Sequence, residues 1–267
     1  MKHLLRDIRF LSARLSALFL LLVPCALLLS SAYGAEEAFY IEPMELRLDP
    51  SARSKTAELK VVNKEAFDMR IRVDAFERRE SRDGSEEREL TKDIRVDEND
   101  FLLKAGQTKV IRVRYVGLKR LAKERAYRVV VKQAETQAGQ NAERSLDLRF
   151  IYVASVYVTP AKAAPKLIVK EVRRTSEHGL EIEFHNEGTA HQRMDVFTPH
   201  IEVPNGDKPD DGVREVQLSR ESRDLLAKQN FLPGVQRKIL LEIDSNEKLT
   251  SGGPLNVKLE RTNTTRR

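Results

Sequence analysis

The sequence predicts an all-β protein built from two sandwiches, on three observations. Apolar residues recur with period two, strand-turn-strand units in one half echo those in the other, and helical periodicity is scarce. Ala57, Leu59 and Val61 alternate with Glu58 and Lys60, and Met69, Ile71 and Val73 with Arg70 and Arg72. Ile111, Val113 and Tyr115 alternate with Arg112 and Arg114. Such stretches are strands with one face on a core and one in water. Leu180-Glu181-Ile182-Glu183-Phe184 and Leu255-Asn256-Val257-Lys258-Leu259 repeat the style. Only Leu118 to Arg125 and Leu218 to Lys228 have the pattern of short helices.

Two echoes relate the halves. Phe101-Leu102-Leu103-Lys104-Ala105-Gly106-Gln107 parallels Phe231-Leu232-Pro233-Gly234-Val235-Gln236, an apolar start running into a Gly turn before a strand. Val62-Asn63-Lys64 parallels His185-Asn186-Glu187, each between patterned strands. Repeated units at this spacing point to two β-sandwiches of immunoglobulin type. Thr159-Pro160-Ala161-Lys162-Ala163-Ala164-Pro165 separates them, and its two prolines make a short, stiff connector. The domains are therefore expected at 35–160 and 164–262, ahead of a polar tail.

The N-terminus reads as a secretory signal peptide over residues 1–34. Lys2, Arg6, Arg9 and Arg14 precede an apolar run from Ala17 to Leu29, then small residues lead to Gly34 and Ala35. Cleavage is expected after Gly34 or after Ala32. The run is too short for a good spanning helix, so no stable membrane insertion is expected. Leu22-Val23-Pro24-Cys25 has the cysteine of a lipoprotein box but Pro where a small residue is needed. Removing the signal takes away four basic residues and one acidic, so the formal charge falls from +6 to +3. That balance is too weak for a nucleic-acid partner. The single cysteine leaves with the signal, which excludes disulfides and multi-cysteine metal sites.

A search for chemistry returns nothing. His178, His185, His191 and His200 have no metal-ligand spacing and read as surface or strand-edge residues. There is no nucleophile elbow and no phosphate-binding Gly loop. The mixed-charge run from Glu77 to Asp100 reads as a solvated hairpin or mobile loop. No enzyme activity, cofactor or metal is expected.

One segment does not read as an ordinary core strand. Leu146 to Val158 runs extended for about thirteen residues, against the usual five or six. Leu146, Leu148, Phe150, Tyr152, Ala154 and Val156 share one face and are all apolar or aromatic. One reading packs this strand wholly into its own domain. The other makes Leu146, Leu148 and Phe150 ligands for a partner, since a strand can complete another protein's sheet.

Several segments, in order, resemble the periplasmic chaperones of the chaperone–usher pilus pathway, the PapD-like family. They are Phe39-Tyr40-Ile41-Glu42-Pro43, Phe101 to Gln107, Glu124 to Val129, Phe150 to Val156, and Asn186-Glu187-Gly188-Thr189-Ala190. Tyr127-Arg128 and Ile151-Tyr152 look closest to the alternative, colonisation-factor branch. The resemblance implies two immunoglobulin-like domains in an L, located in the periplasm. It implies that strand G1 caps fimbrial subunits until an outer-membrane usher receives them. The donor residues would be Leu146, Leu148 and Phe150, with Tyr152 and Ala154 continuing the face. Each large side chain so buried contributes roughly 1.5–3 kcal/mol before ordering costs.

One departure concerns the clamp for the subunit's terminal carboxylate. The family's Arg and Lys positions carry Glu45 and Ser155 here. A buried carboxylate still needs charge-assisted donors. Arg128 is the first candidate anchor and Arg47 the second. The competing class is an exported two-domain adhesin or binding module. Self-association of the free chaperone, which would hide G1, stays open.

Overall fold

The computed structural model of the protein describes residues 39–81, 84–134, 150–205, 212–249 and 253–262. The signal-peptide reading, Leu146 and Leu148 lie outside the described residues.

The first half contributes ten strands. They are β1 (Phe39–Glu42), β2 (Glu45–Leu48), β3 (Thr56–Asn63), β4 (Met69–Glu80), β5 (Glu86–Leu90), β6 (Ile94–Val96), β7 (Asp100–Leu103), β8 (Thr108–Tyr115), β9 (Arg125–Gln133) and β10 (Ile151–Val158). One sheet has the order β1-β3-β8-β6 and the other β2-β10-β9-β4-β5, with β7 also on β4. Pairing is antiparallel except between β10 and β2, which run parallel. The predicted inward residues, among them Leu59, Val61, Ile71, Val73, Ile111 and Val113, fill the space between the sheets. Alternation is therefore the physical cause of the two-layer packing: every second side chain leaves water.

The second half contributes β11 (Leu167–Arg174), β12 (Gly179–Asn186), β13 (Gln192–Arg193), β14 (Phe197–Pro204), β15 (Val213–Val216), β16 (Asn230–Phe231), β17 (Gln236–Glu242) and β18 (Asn256–Arg261). Their sheets are β11-β12-β17, β15-β14-β18 and the short pair β13-β16. Leu180, Ile182 and Phe184 join Ile201, Phe231 and Ile239 in a separate apolar core. Two immunoglobulin-like sandwiches make up this all-β chain.

Of the two predicted helices one forms. Helix α1 (Arg220–Ala227) starts at Ser219, whose side chain accepts from the Ser222 amide at 3.2 Å. Its buried positions, Ser222 and Leu226, lie four apart on one face. Leu118 to Arg125 is not helical; it bends, with the Tyr115 hydroxyl donating to the Leu118 carbonyl at 3.2 Å, and Arg125 already opens β9. The thirteen-residue strand is also shorter as described: β10 begins at Ile151, and Phe150 precedes it.

The two echoes prove to be one device used twice. Asn63 sits buried at the end of β3 and donates from Nδ2 to the carbonyls of Phe67, Leu103 and Lys104. Asn186 sits buried at the end of β12 and donates to the carbonyls of Ala190 and Phe231. Each asparagine thus ties a strand end to the Gly turn of the other echo, where Gly106 and Gly234 take φ of +64° and +81°.

The connector is pinned to the second sandwich. Ala164 accepts from the Thr189 and Ala190 amides at 2.8 and 3.2 Å, and Lys166 from Glu187 at 2.9 Å. Gly188 lies beneath it: a Cβ there would meet Lys166 N at 2.3 Å and Ala164 O at 2.5 Å. Both are backbone atoms with little room to yield. Gly188→Ala is expected to cost about 2 kcal/mol, within the usual range for overpacking. A urea titration checks this; an unchanged midpoint rejects the close approach.

Candidate functional site

Three features meet around β10. The first is β10 itself. Ala154, Val156 and Val158 point into the first core, while Ile151 and Ser155 point outward. Tyr152 and Phe150 are only partly buried, and both rings meet Phe39 edge-on, with centroids 4.9 and 6.5 Å away. Burial therefore thins out from Val158 back towards Phe150. On one side β9 pairs with all of β10; on the other, β2 pairs with it from Ser155 to Val158.

The second feature is a cavity of about 490 Å³ lined by side chains of both sandwiches. Register creates it. Ser155 stands beside Glu45 on β2 and opposite Arg128 on β9. Arg78 and Glu86 come from the β4–β5 hairpin, while Arg193, Lys228 and Arg237 come from the second half. Five cations thus face two carboxylates, Glu45 and Glu86.

The arginines are held tightly. Arg128, 16% exposed, gives Nη1 to the Ser155 hydroxyl and sets Nε 3.0 and 3.2 Å from the two Glu86 oxygens, with Nη2 also on Glu86. Arg78, 10% exposed, places Nε 2.8 Å from Glu86 Oε2 and donates from Nη1 to the Tyr157 hydroxyl at 3.4 Å. Arg237 pairs with the buried Glu80 and lies over the Phe231 ring, 4.9 Å from its centroid. Burial lowers the pKa of Arg78, and the neighbouring Arg128 lowers it further; Arg237 is lowered by burial and then by Arg78. Burial pushes the Glu86 carboxyl up, yet hydrogen bonds from Arg128 and Arg88 bring it down to about 2. Cations crowded out of water in this way favour an anion, and guanidinium forks favour a carboxylate.

The third feature is the contact between the sandwiches. Glu124, its side chain 1% exposed, accepts from the His191 amide at 3.0 Å and from Thr159 Oγ1 at 2.7 Å, with His191 Nδ1 2.7 Å away. The His191 ring stacks on Tyr157 at 3.8 Å, and Asn230 donates to the Tyr157 hydroxyl at 2.7 Å. Ala126, Tyr157 and Leu232 form a small apolar cluster there.

Of the predicted site residues, the structure brings Arg128 into the cavity and places Phe150, Tyr152 and Ala154 in line on the inward side of β10. Arg47 lies elsewhere: its side chain is 66% exposed and bonds Glu45 at 2.7 Å. Two readings need correction. His191 is buried, not a surface or strand-edge residue, because the second sandwich closes over Glu124. The Glu77–Asp100 run forms a hairpin, but Arg78 and Glu80 are not solvated, because Arg237 and Tyr157 cover them. Arg78, Glu86 and Arg237 were missed. A signal existed for Arg237, which falls on the inward Ile239–Leu241 face of β17, a place where a lone charge needs a partner. Among the described residues no group of three acidic, His or Cys side chains is placed to hold a metal ion, and no helix is long and apolar enough to cross a membrane.

No family model and no curated protein matches the sequence. Solved structures do. A chain from the chaperone–tip adhesin complex of CFA/I fimbriae biogenesis superposes with a TM-score of 0.52 and 14% identity, over 83% of this chain and 98% of that one. The class 5 fimbriae chaperone CfaA superposes with a TM-score of 0.51 and 15% identity, over the same shares of 83% and 98%. This chain shares the two-domain fold of these solved structures.

Proposed function

We propose, for a chain with the fold of fimbrial chaperones, that it caps fimbrial subunits in the periplasm by strand donation and passes them to an outer-membrane usher. Its domains run over 35–160 and 164–262, behind a cleaved signal peptide, and no catalysis is involved. The observation that carries this reading is a juxtaposition: a strand whose inward face carries Tyr152 and Ala154 leads into an arginine-lined cavity. A partner strand added on the β2 side of β10 would run alongside Phe150 and the residues before it, since β2 reaches back only to Ser155. Leu146, Leu148 and Phe150 would fill the partner's groove, with Tyr152 and Ala154 continuing the face. The partner's terminal carboxylate would then lie in the cavity against Arg128, with Arg78 beside it. Arg47 is the weaker anchor, being outside the cavity and paired with Glu45.

Affinity purification of the tagged mature chain from its native periplasm tests this, with mass spectrometry of what is retained. Leu148→Asp is expected to lose the subunit and keep the native far-UV circular dichroism. Phe150→Asp is expected to lose it too, with a small loss of stability because Phe150 rests partly on Phe39. Arg128→Ala is expected to weaken capture by about 2–5 kcal/mol, the cost of stranding a buried charge partner. If the native chain retains no subunit while the pilus is being made, the free-standing binding module becomes the better reading.

A further inference from the structure

We infer that Glu86 is a specificity-determining residue of the arginine cavity: an intramolecular carboxylate that occupies the fork which a ligand carboxylate must take. The inference rests on reading the cavity as a carboxylate site, and it concerns what governs entry.

A guanidinium receives a carboxylate best along one edge, through two parallel N–H groups. On Arg128 the Nε and Nη2 edge is taken by Glu86 and the remaining Nη1 by Ser155. Arg78 is similarly engaged, with Nε at Glu86 and Nη1 at Tyr157. A ligand carboxylate therefore reaches the Nε and Nη2 edge of Arg128 only by exchanging with Glu86. The hairpin supplies somewhere for Glu86 to go. Arg88 sits two residues along β5, its Nε 2.6 Å from Glu86 Oε1, and its side chain is 41% exposed. Glu86 is thus already shared between inner and outer arginines, and moving outward leaves its charge paired. Both states keep every charge compensated, which is what makes an exchange inexpensive. Selectivity follows from the competition. A neutral amide cannot displace Glu86, whereas a carboxylate that also gains contacts on β10 can.

Acetate is the probe, acetamide its neutral control, and the Arg128 Nε–H resonance of the mature chain the readout. Glu86→Gln is expected to bind acetate at least about tenfold more tightly than the native chain, a difference of about 1.4 kcal/mol. Arg88→Ala removes the outer partner and is expected to weaken acetate binding, the opposite sign. A merely structural hairpin would give both variants the same sign. Equal acetate affinity in the native chain and Glu86→Gln overturns the inference, even where subunit capture depends on Arg128. Tighter acetate binding by Glu86→Gln supports it even if Arg128→Ala captures subunits normally, a result that would reject only the anchor reading.

Discussion

Replacing Asn186 by Ala is expected to lower the unfolding free energy by roughly 3 kcal/mol or more, one of the largest effects of any single change in this chain. The side chain is fully buried and makes four hydrogen bonds to backbone. Its Nδ2 group serves the Ala190 and Phe231 carbonyls at 2.8 and 2.9 Å, while Oδ1 accepts from the Lys166 and Gly188 amides at 3.2 and 3.0 Å. Alanine leaves those groups without partners, and a buried unsatisfied polar group costs about 1–3 kcal/mol. Some are recovered by water where the connector is exposed, which keeps the total below the simple sum. Asn63→Ala is expected to do the same to the first sandwich, through the Leu103 and Lys104 carbonyls. Urea unfolding checks both. A loss below about 1 kcal/mol in either, with the slope unchanged, would contradict this account.

Glu124→Ala is expected to cost about 3 kcal/mol, because it strips the buried hydrogen-bond donors at His191 and Thr159 of their acceptor, at about 1–3 kcal/mol for each buried group left unsatisfied. Three donors converge on this carboxylate: the His191 amide, the His191 ring and Thr159. Burial raises its pKa, but hydrogen bonds from His191 and Thr159 outweigh that, and the net shift is downward from 4.5. A group with a depressed folded-state pKa stabilises the fold fully above its unfolded value, and that contribution disappears as pH falls through the folded value. The native chain should therefore lose stability on acidification below about pH 4.5, with Glu86 adding to the loss down to its own pKa of about 2. In Glu124→Ala the loss should be shallower, although the variant starts from a lower stability. Chemical denaturation at a series of pH values separates the two; parallel curves would mean that Glu124 carries none of the dependence.

Much of the fold was legible because alternation is local. Leu59 and Val61, or Leu180 and Ile182, declare their buried face within five residues of chain, with no knowledge of what they pack against. Leu218 to Lys228 declared its helix for the same reason, by spacing within one stretch of chain, and the Ser219 hydroxyl starts it by accepting from the Ser222 amide. Leu118 to Arg125 shows the limit: its spacing suits a helix, but Tyr115 and the start of β9 fix the bend. The echoes were visible as two resemblances, yet that each asparagine binds the other echo's turn depends on a fold that brings positions 40 residues apart together.

The site was legible only in part, for a related reason. Arg128 was reachable, since strand adjacency places it across from Ser155. The hairpin charges were not. Arg78 and Glu80 sit in a stretch as polar as any solvated loop, and their burial depends on Arg237 and Tyr157 from distant parts of the chain. Likewise nothing around His191 announces that Glu124 will meet it. Where burial comes from a second domain, local polarity misleads.

The position of β10 also sets how the molecule responds to force. Its hydrogen bonds to β9 and β2 lie across the strand direction, so a pull along its length loads both ladders at once, in shear. The far end is anchored at Tyr157, held by the His191 ring and the Asn230 amide. Tension on anything attached near Phe150 is therefore borne by the whole strand and delivered to the junction of the two sandwiches. Peeling sideways breaks the same bonds one by one. The strand is built to withstand traction and to yield to unzipping.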